Sequence, residues 1–297
     1  MNQKKTLRIV FPSGTDPYDL LSARIQLWEE QGFRVLWEPH GLDPDFDFLA
    51  GSPKERALAL WQGLTETKSG LLLAGRGGYG ASDLLPLIPW GDLKAYPPKW
   101  VVGFSDFSAI LSALYAKGGW KTGIHGPMAA SNLWEEGCGV LELLGQDSFS
   151  GSLPLAPLAG TSAAPQGVLR GGCLSVLSQL LGTPYLPPFK EDTILFFEDV
   201  GETPGRVLRS LTQWFQVPGM MARVRGVVLG NFQGWGDSSL ETKEALARRF
   251  PMDFWSTEGF GHITANHLIP QGGWGRVTGE GVLQFGVSLE AFNLSSG

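Results

Sequence analysis

The sequence predicts an α/β fold: a parallel sheet covered by helices in the amino-terminal half, joined to a second domain across a cleft. Three observations predict it. Short runs that are apolar at almost every position alternate with stretches of helical periodicity. Strands apolar on both faces belong to sheets buried on both sides, and such sheets are parallel. Near residue 150 the composition shifts to a stretch dense in Pro, Gly, Ser and Ala, as a linker or crossing between domains would be.

Residues 7–11, Leu-Arg-Ile-Val-Phe, form a β-rich run that ends in Pro12-Ser13-Gly14. Residues 19–31 carry Leu20, Leu21, Ile25, Leu27 and Trp28 as a roughly helical stripe, stopped by Gly32. Residues 33–37 are the next strand, and residues 53–67 the next helix, with Ala57, Leu60, Trp61 and Leu64 on one side. The run Leu71-Leu72-Leu73-Ala74 is closed by Gly75. Val101-Val102-Gly103-Phe104 leads directly into a helix-compatible stretch over 106–117. This alternation implies the strand order of doubly wound folds, whose ligands bind beyond the carboxyl ends of the strands. Residues 1–150 then form the first domain, 151–166 the linker and 167–297 the second domain. In the second, residues 167–170, 193–197, 224–229 and 282–287 read as strands, and 174–181 and 206–215 as helices.

Composition narrows the function. Apolar residues make up 43 % of the chain and charged residues 18 %, with 41 glycines and 20 prolines, which describes a folded protein rich in tight turns. The net charge of −6 is spread without a basic stripe, so a nucleic-acid partner is not expected. No run is long and apolar enough to span a membrane or to serve as a secretory leader, so the expected compartment is the cytoplasm. The two cysteines, Cys138 and Cys173, sit in no metal spacing and are expected as two buried free thiols rather than as a single bridge.

Gly103-Phe104-Ser105-Asp106 lies where an apolar strand gives way to a helix. A serine on such a turn is lifted from the surface, and the N–H groups at the helix start face whatever it attacks. Taken by itself the segment reads more readily as an ordinary helix cap, because Phe107 stands where nucleophile elbows carry glycine. Gly75-Arg76-Gly77-Gly78-Tyr79-Gly80 is a glycine cluster after a strand. It suits an oxyanion hole or an anion loop, with Arg76 able to clamp a carboxylate. The four histidines limit the choice of base. His40 sits in a Pro/Asp-rich loop and is expected at the surface; His125 reads as structural or as a pocket wall. His262 and His267 share a glycine-rich region, and the residues alone do not separate them. Glu198, Asp199 and Glu202 follow a very apolar strand, where a carboxylate can orient an imidazole or simply mark an exposed strand end. No metal-ligand spacing is present, and no cofactor is expected.

Taken together, these pieces resemble the LD-carboxypeptidase (muramoyltetrapeptide carboxypeptidase) family over nearly the whole chain. The resemblance is carried by Pro12-Ser13, Arg76-Gly77-Gly78-Tyr79-Gly80, Gly103-Phe104-Ser105-Asp106 and His125-Gly126-Pro127-Met128. It continues through Gly182-Thr183-Pro184-Tyr185, residues 194–199, residues 226–232 and Gly259-Phe260-Gly261-His262. It implies a Rossmann-like amino-terminal domain with a smaller, mostly β carboxyl-terminal domain. It also implies a serine peptidase with a Ser-Glu-His triad that falls on Ser105, Glu198 and His262. The oxyanion hole would use the N–H of Asp106 and that of Gly77 or Gly78. The implied substrate is a small peptide, murein tetrapeptide, cut at an L,D bond to release D-alanine. A related branch instead cleaves peptidyl- or aminoacyl-nucleotide antibiotics, and a silent peptide-binding protein would keep the same glycine cluster. Dimers are common in such families, so the resemblance extends to a homodimer. Two positions depart from the pattern: Cys173 stands where the family commonly has Asn, and Leu208 where it commonly has Asp before Arg209.

Overall fold

The computed structural model describes residues 5–15, 19–135, 138–159, 164–235 and 239–289. Its first half runs β1 (Thr6–Val10), α1 (Asp19–Glu30), β2 (Arg34–Leu36), α2 (Pro53–Thr65), β3 (Leu71–Ala74), α3 (Ala81–Leu84), β4 (Trp100–Gly103), α4 (Ser108–Ala113) and β5 (Gly123–His125). The strands lie in the order β2-β1-β3-β4-β5, all parallel. A late strand, β12 (Ile269–Gln271), adds antiparallel to β5 and completes a six-stranded sheet. Alternation along β3 shows why its apolar run needs cover on both faces. Leu71 and Leu73 enter one cluster with Leu7, Ile9 and Trp28 of α1. Leu72 and Ala74 enter another with Val10, Val101 and with Leu60 and Leu64 of α2. Helix α2 starts where it does because Ser52 and Glu55 form a reciprocal capping box ahead of Pro53.

The second half contributes β6 (Ser148–Pro154), β7 (Ala156–Ala159), β8 (Gln166–Cys173), α5 (Leu174–Gln179), β9 (Thr193–Val200), α6 (Pro204–Gln216), β10 (Val224–Gln233), α7 (Ser239–Ala247), β11 (Phe254–Ser256), β13 (Trp274–Val277) and β14 (Val282–Ser288). Its eight-stranded sheet has the order β6-β14-β13-β8-β9-β10-β11-β7. Strands β8 to β11 are mutually parallel, and the flanking strands are antiparallel.

Two expectations need correction. Much of the stretch expected as a linker is sheet. β6 pairs with β14 from Ser148↔Ser288 to Pro154↔Val282, and β7 pairs with β11. Pro154 and Pro157 obscure this in the sequence, but both strands are sheet edges, where a missing N–H is tolerated. Residues 160–163 of that stretch lie outside the described residues. The helix expected over 106–117 begins at Ser105 and changes character twice. A 3-10 turn (Ser105–Phe107) precedes α4, and a π turn (Leu114–Gly118) follows it. The apolar cluster above the first sheet runs without a break to Leu195, Phe197 and Leu229 of the second, so the two halves share one core.

Candidate active site

The first sheet reverses its winding between β1 and β3, and the loops leaving the carboxyl ends of those strands frame a crevice there. The N–H of Gly14, just past β1, donates to the carbonyl of Gly77, past β3, at 3.0 Å. Ser105 follows β4 on the same edge. Its φ is 59°, and it is the only described non-glycine residue with positive φ. That backbone costs about 1–3 kcal/mol for a residue with a Cβ, and such strain is characteristic of sites where a side chain must be aimed. Ser105 opens the short helix, so the N–H groups at its start lack intrahelical partners.

The glycine cluster lies directly against this serine. A Cβ placed on Gly77 would stand 2.9 Å from Ser105 Oγ and 3.0 Å from Ser105 Cβ, so only glycine fits there. The Asp106 side chain turns inward and accepts from the N–H of Ala81, the first residue of α3, at 2.9 Å. It thereby ties the serine turn to the end of the glycine loop. Burial raises the Asp106 pKa, despite the opposing hydrogen bonds and the Arg56 charge.

The opposite side of the crevice comes from the second sheet. Glu198 sits near the end of β9 and is fully buried. Its Oε2 lies 2.7 Å from Nδ1 of His262, which belongs to the glycine-rich loop after β11. The imidazole also rests against the Phe104 ring, centroids 4.7 Å apart. Burial pulls the His262 pKa down, but the hydrogen bond and charge of Glu198, with Asp199 behind, outweigh it, and the net shift is upward. His267, the rival in the sequence, is exposed, and its neighbour Asn266 instead braces the loop by accepting from the Gly261 N–H.

Ser105 and His262 line one open cavity of about 520 Å³. Gly77, Gly78 and Phe104 form its floor on one side, with Arg76 exposed at the wall and donating to the Thr15 carbonyl at 2.9 Å. The far wall is Met128 with Ala130, Ser131, Asn132 and Leu133, and Leu20 closes the mouth. Of this wall, only Met128 belongs to a motif legible in the sequence. The missed signal is Arg24, a charge on the apolar stripe of α1: it is buried and donates to the carbonyls of Ala129 and Ser131, holding the wall in place.

The remaining candidates do not line this cavity. His125 is fully buried, edge-on to Phe104, Phe196 and Phe260, and its ring nitrogens have no hydrogen-bond partner among the described residues. Burial pushes its pKa down to about 4. His40, expected at the surface, is half-buried against Phe11. Asp199 faces away from His262. It accepts from the Ser175 N–H and hydroxyl and lies 3.4 Å from Cys173 Sγ. Cys173 is paired in register with Glu198, and burial raises its pKa well above the ordinary thiol value. Glu202 faces Arg206 at 3.7 Å. Among the described residues no group of His, Cys, Asp and Glu side chains is arranged to hold a metal ion.

Residues 7–126 match the model of the LD-carboxypeptidase N-terminal domain, and residues 166–277 that of the LD-carboxypeptidase C-terminal domain. The chain belongs to the LD-carboxypeptidase family. A Synechocystis sp. protein that carries the name carboxypeptidase is 34 % identical over 94 % of this chain and 93 % of its own length. The murein tetrapeptide carboxypeptidase of Pseudomonas aeruginosa is 30 % identical over 75 % of each. Among solved structures, an MccF-like protein of Bacillus anthracis superposes with a TM-score of 0.82 at 21 % identity, covering 97 % of this chain and 98 % of its own. That likeness establishes the two-domain LD-carboxypeptidase fold. Membership in this family makes the chain a peptidase-type hydrolase.

Proposed function

We propose that this LD-carboxypeptidase is a serine enzyme that cuts an L,D-peptide bond and releases the terminal D-alanine of murein tetrapeptide in cell-wall recycling. The observation that carries the proposal is the Glu198–His262 hydrogen bond at the rim of a cavity that also holds the strained Ser105. With Nδ1 of His262 committed to Glu198, Nε2 is the nitrogen left to take a proton from the serine hydroxyl. Ser105 Oγ then attacks the carbonyl of the residue before D-alanine. The oxyanion is met by the N–H of Asp106 and that of Gly77 or Gly78, each such donor being worth roughly 3–4 kcal/mol. Collapse passes the proton from His262 to the leaving amine and leaves an acyl group on Ser105. A water, deprotonated by His262, attacks that ester and restores the serine. Arg76 is the cation for the free carboxylate of the departing residue.

The murein substrate is favoured over an aminoacyl-nucleotide by the sequence relative in Pseudomonas aeruginosa. The described walls of the cavity also carry no tryptophan on which a base would stack. The composition reading extends the proposal to the cytoplasm, and the family habit to a homodimer. Among the described residues no helix is long and apolar enough to cross a membrane. The test is mass-spectrometric analysis of L-Ala-γ-D-Glu-meso-diaminopimelate-D-Ala after incubation with wild type or Ser105→Ala. Release of D-alanine by wild type alone supports the reading. An intact tetrapeptide in both arms overturns it and redirects attention to aminoacyl-nucleotide conjugates.

A further inference from the structure

Away from the active-site cavity, Arg170 on β8 is a buried cation without full compensation. It is 5 % exposed, and its Nε and Nη2 have no hydrogen-bond partner among the described residues. The Tyr115 ring stacks on its guanidinium at 3.8 Å, and the Phe189 ring lies at 5.5 Å. Tyr115 and the Glu191 charge favour the guanidinium, but Nε and Nη2 stay without hydrogen bonds, which is expensive for a buried charge. Burial pulls the Arg170 pKa down to about 10.

Arg170 also lines a separate cavity of about 200 Å³. Its apolar walls are Val168, Pro187, Pro188 and Phe189, and Glu191 stands at the rim, accepting from the Tyr115 hydroxyl at 3.1 Å. The space is smaller than the roughly 300–1,000 Å³ of typical cofactor sites. Arg170 is its buried cation, while Lys190 and Glu191, both exposed, set opposite charges on the lining beside the apolar wall. A dianion such as phosphate would meet the Glu191 carboxylate, whereas a zwitterion pairs with Arg170 and Glu191 at once. Nε and Nη2 form the edge that grips a carboxylate side-on. Both atoms are closed to solvent, so seating a ligand requires the lining beside Arg170 to ease outward.

We infer that this cavity is a binding site for a small zwitterionic amino acid, its carboxylate on Arg170, its ammonium on Glu191 and its side chain against the proline wall. The site is independent of the proposed peptidase chemistry. Titration calorimetry with L-leucine, D-leucine, isovalerate and inorganic phosphate tests it. The expected result is that at least one leucine enantiomer binds the wild type and binds Arg76→Gln equally, which excludes the active-site cavity as the source. Arg170→Met abolishes that binding while retaining the wild-type melting temperature. Glu191→Gln, at an exposed position, weakens leucine by about tenfold, the loss of one charged hydrogen bond, and leaves isovalerate unchanged. The inference is overturned if neither leucine binds the wild type, if Arg170→Met binds as wild type does, or if phosphate binds in place of leucine.

Discussion

On the side of the first sheet, the active-site cavity is shaped by backbone. Gly77 leaves room for the Ser105 hydroxyl, Gly14 is bonded to Gly77, and Ser105 is held at φ 59°. On the side of the second sheet it is shaped by buried charge, with Glu198 fully buried against His262 and Asp199 behind it. Two kinds of constraint therefore meet here. Steric positioning is insensitive to pH and intolerant of a single added methyl group. Electrostatic positioning tolerates shape changes but follows protonation. Substitutions on the two sides should therefore fail in different ways.

The largest effect is expected at the junction. Ser105→Ala should lower kcat by on the order of 10⁴–10⁶, as loss of a serine nucleophile does. Ser105→Gly should be as inactive yet more stable by about 1 kcal/mol in denaturant melts, because glycine accepts the positive φ. A serine without a catalytic role would leave kcat unchanged in both variants, whereas the stability gain follows from the positive φ alone.

Next comes the charged side. Glu198→Gln should lower kcat/KM by roughly 10³–10⁴. The sign of its pH effect follows from His262. The base must be neutral, and its pKa is raised, so the acid limb of kcat/KM in the wild type lies above 6.5. Without the Glu198 charge only Asp199 opposes burial, and the limb moves to lower pH. Gly77→Ala, on the backbone side, should cost about 10²-fold in kcat through misplacement of Ser105 and leave the acid limb where it is. A shifted limb in Gly77→Ala would break the contrast between the two sides.

The smallest effect concerns folding. His125 is buried neutral with a folded-state pKa near 4, below the value of 6.5 for a free histidine. Its contribution is present above pH 6.5 and is lost as pH falls toward 4, because the unfolded chain binds the proton first. His125→Leu should therefore flatten the fall in urea midpoint between pH 7 and pH 4.5. His262 has the opposite sign: its raised pKa stabilises the fold below pH 6.5, and that contribution fades as pH rises.

Much of the first sheet is legible in the sequence, because its strands are short and apolar on both faces. Leu71–Ala74 is a strand from end to end, and its alternating residues feed two separate cores. The position of Ser105 at a strand-to-helix turn is legible for the same reason. Less is legible where structure depends on distant pairing. The strands Ser148–Pro154 and Ala156–Ala159 look like a linker because their prolines are allowed only by an edge position. His262 and His267 are alike in the sequence, and only a partner 64 residues away separates them. The wall around Asn132 depends on Arg24 reaching across more than 100 residues, and no local pattern reports that.

The most direct test of a site assembled from both halves is a double-mutant cycle on hydrolysis of the tetrapeptide. Ser105→Ala, His262→Ala and the double variant are compared by kcat/KM. Groups that act as one catalytic unit are not additive, so the double variant should be no slower than the slower single variant. If the two losses multiply instead, Ser105 and His262 act independently, and the account of a nucleophile and base joined across the cavity is wrong.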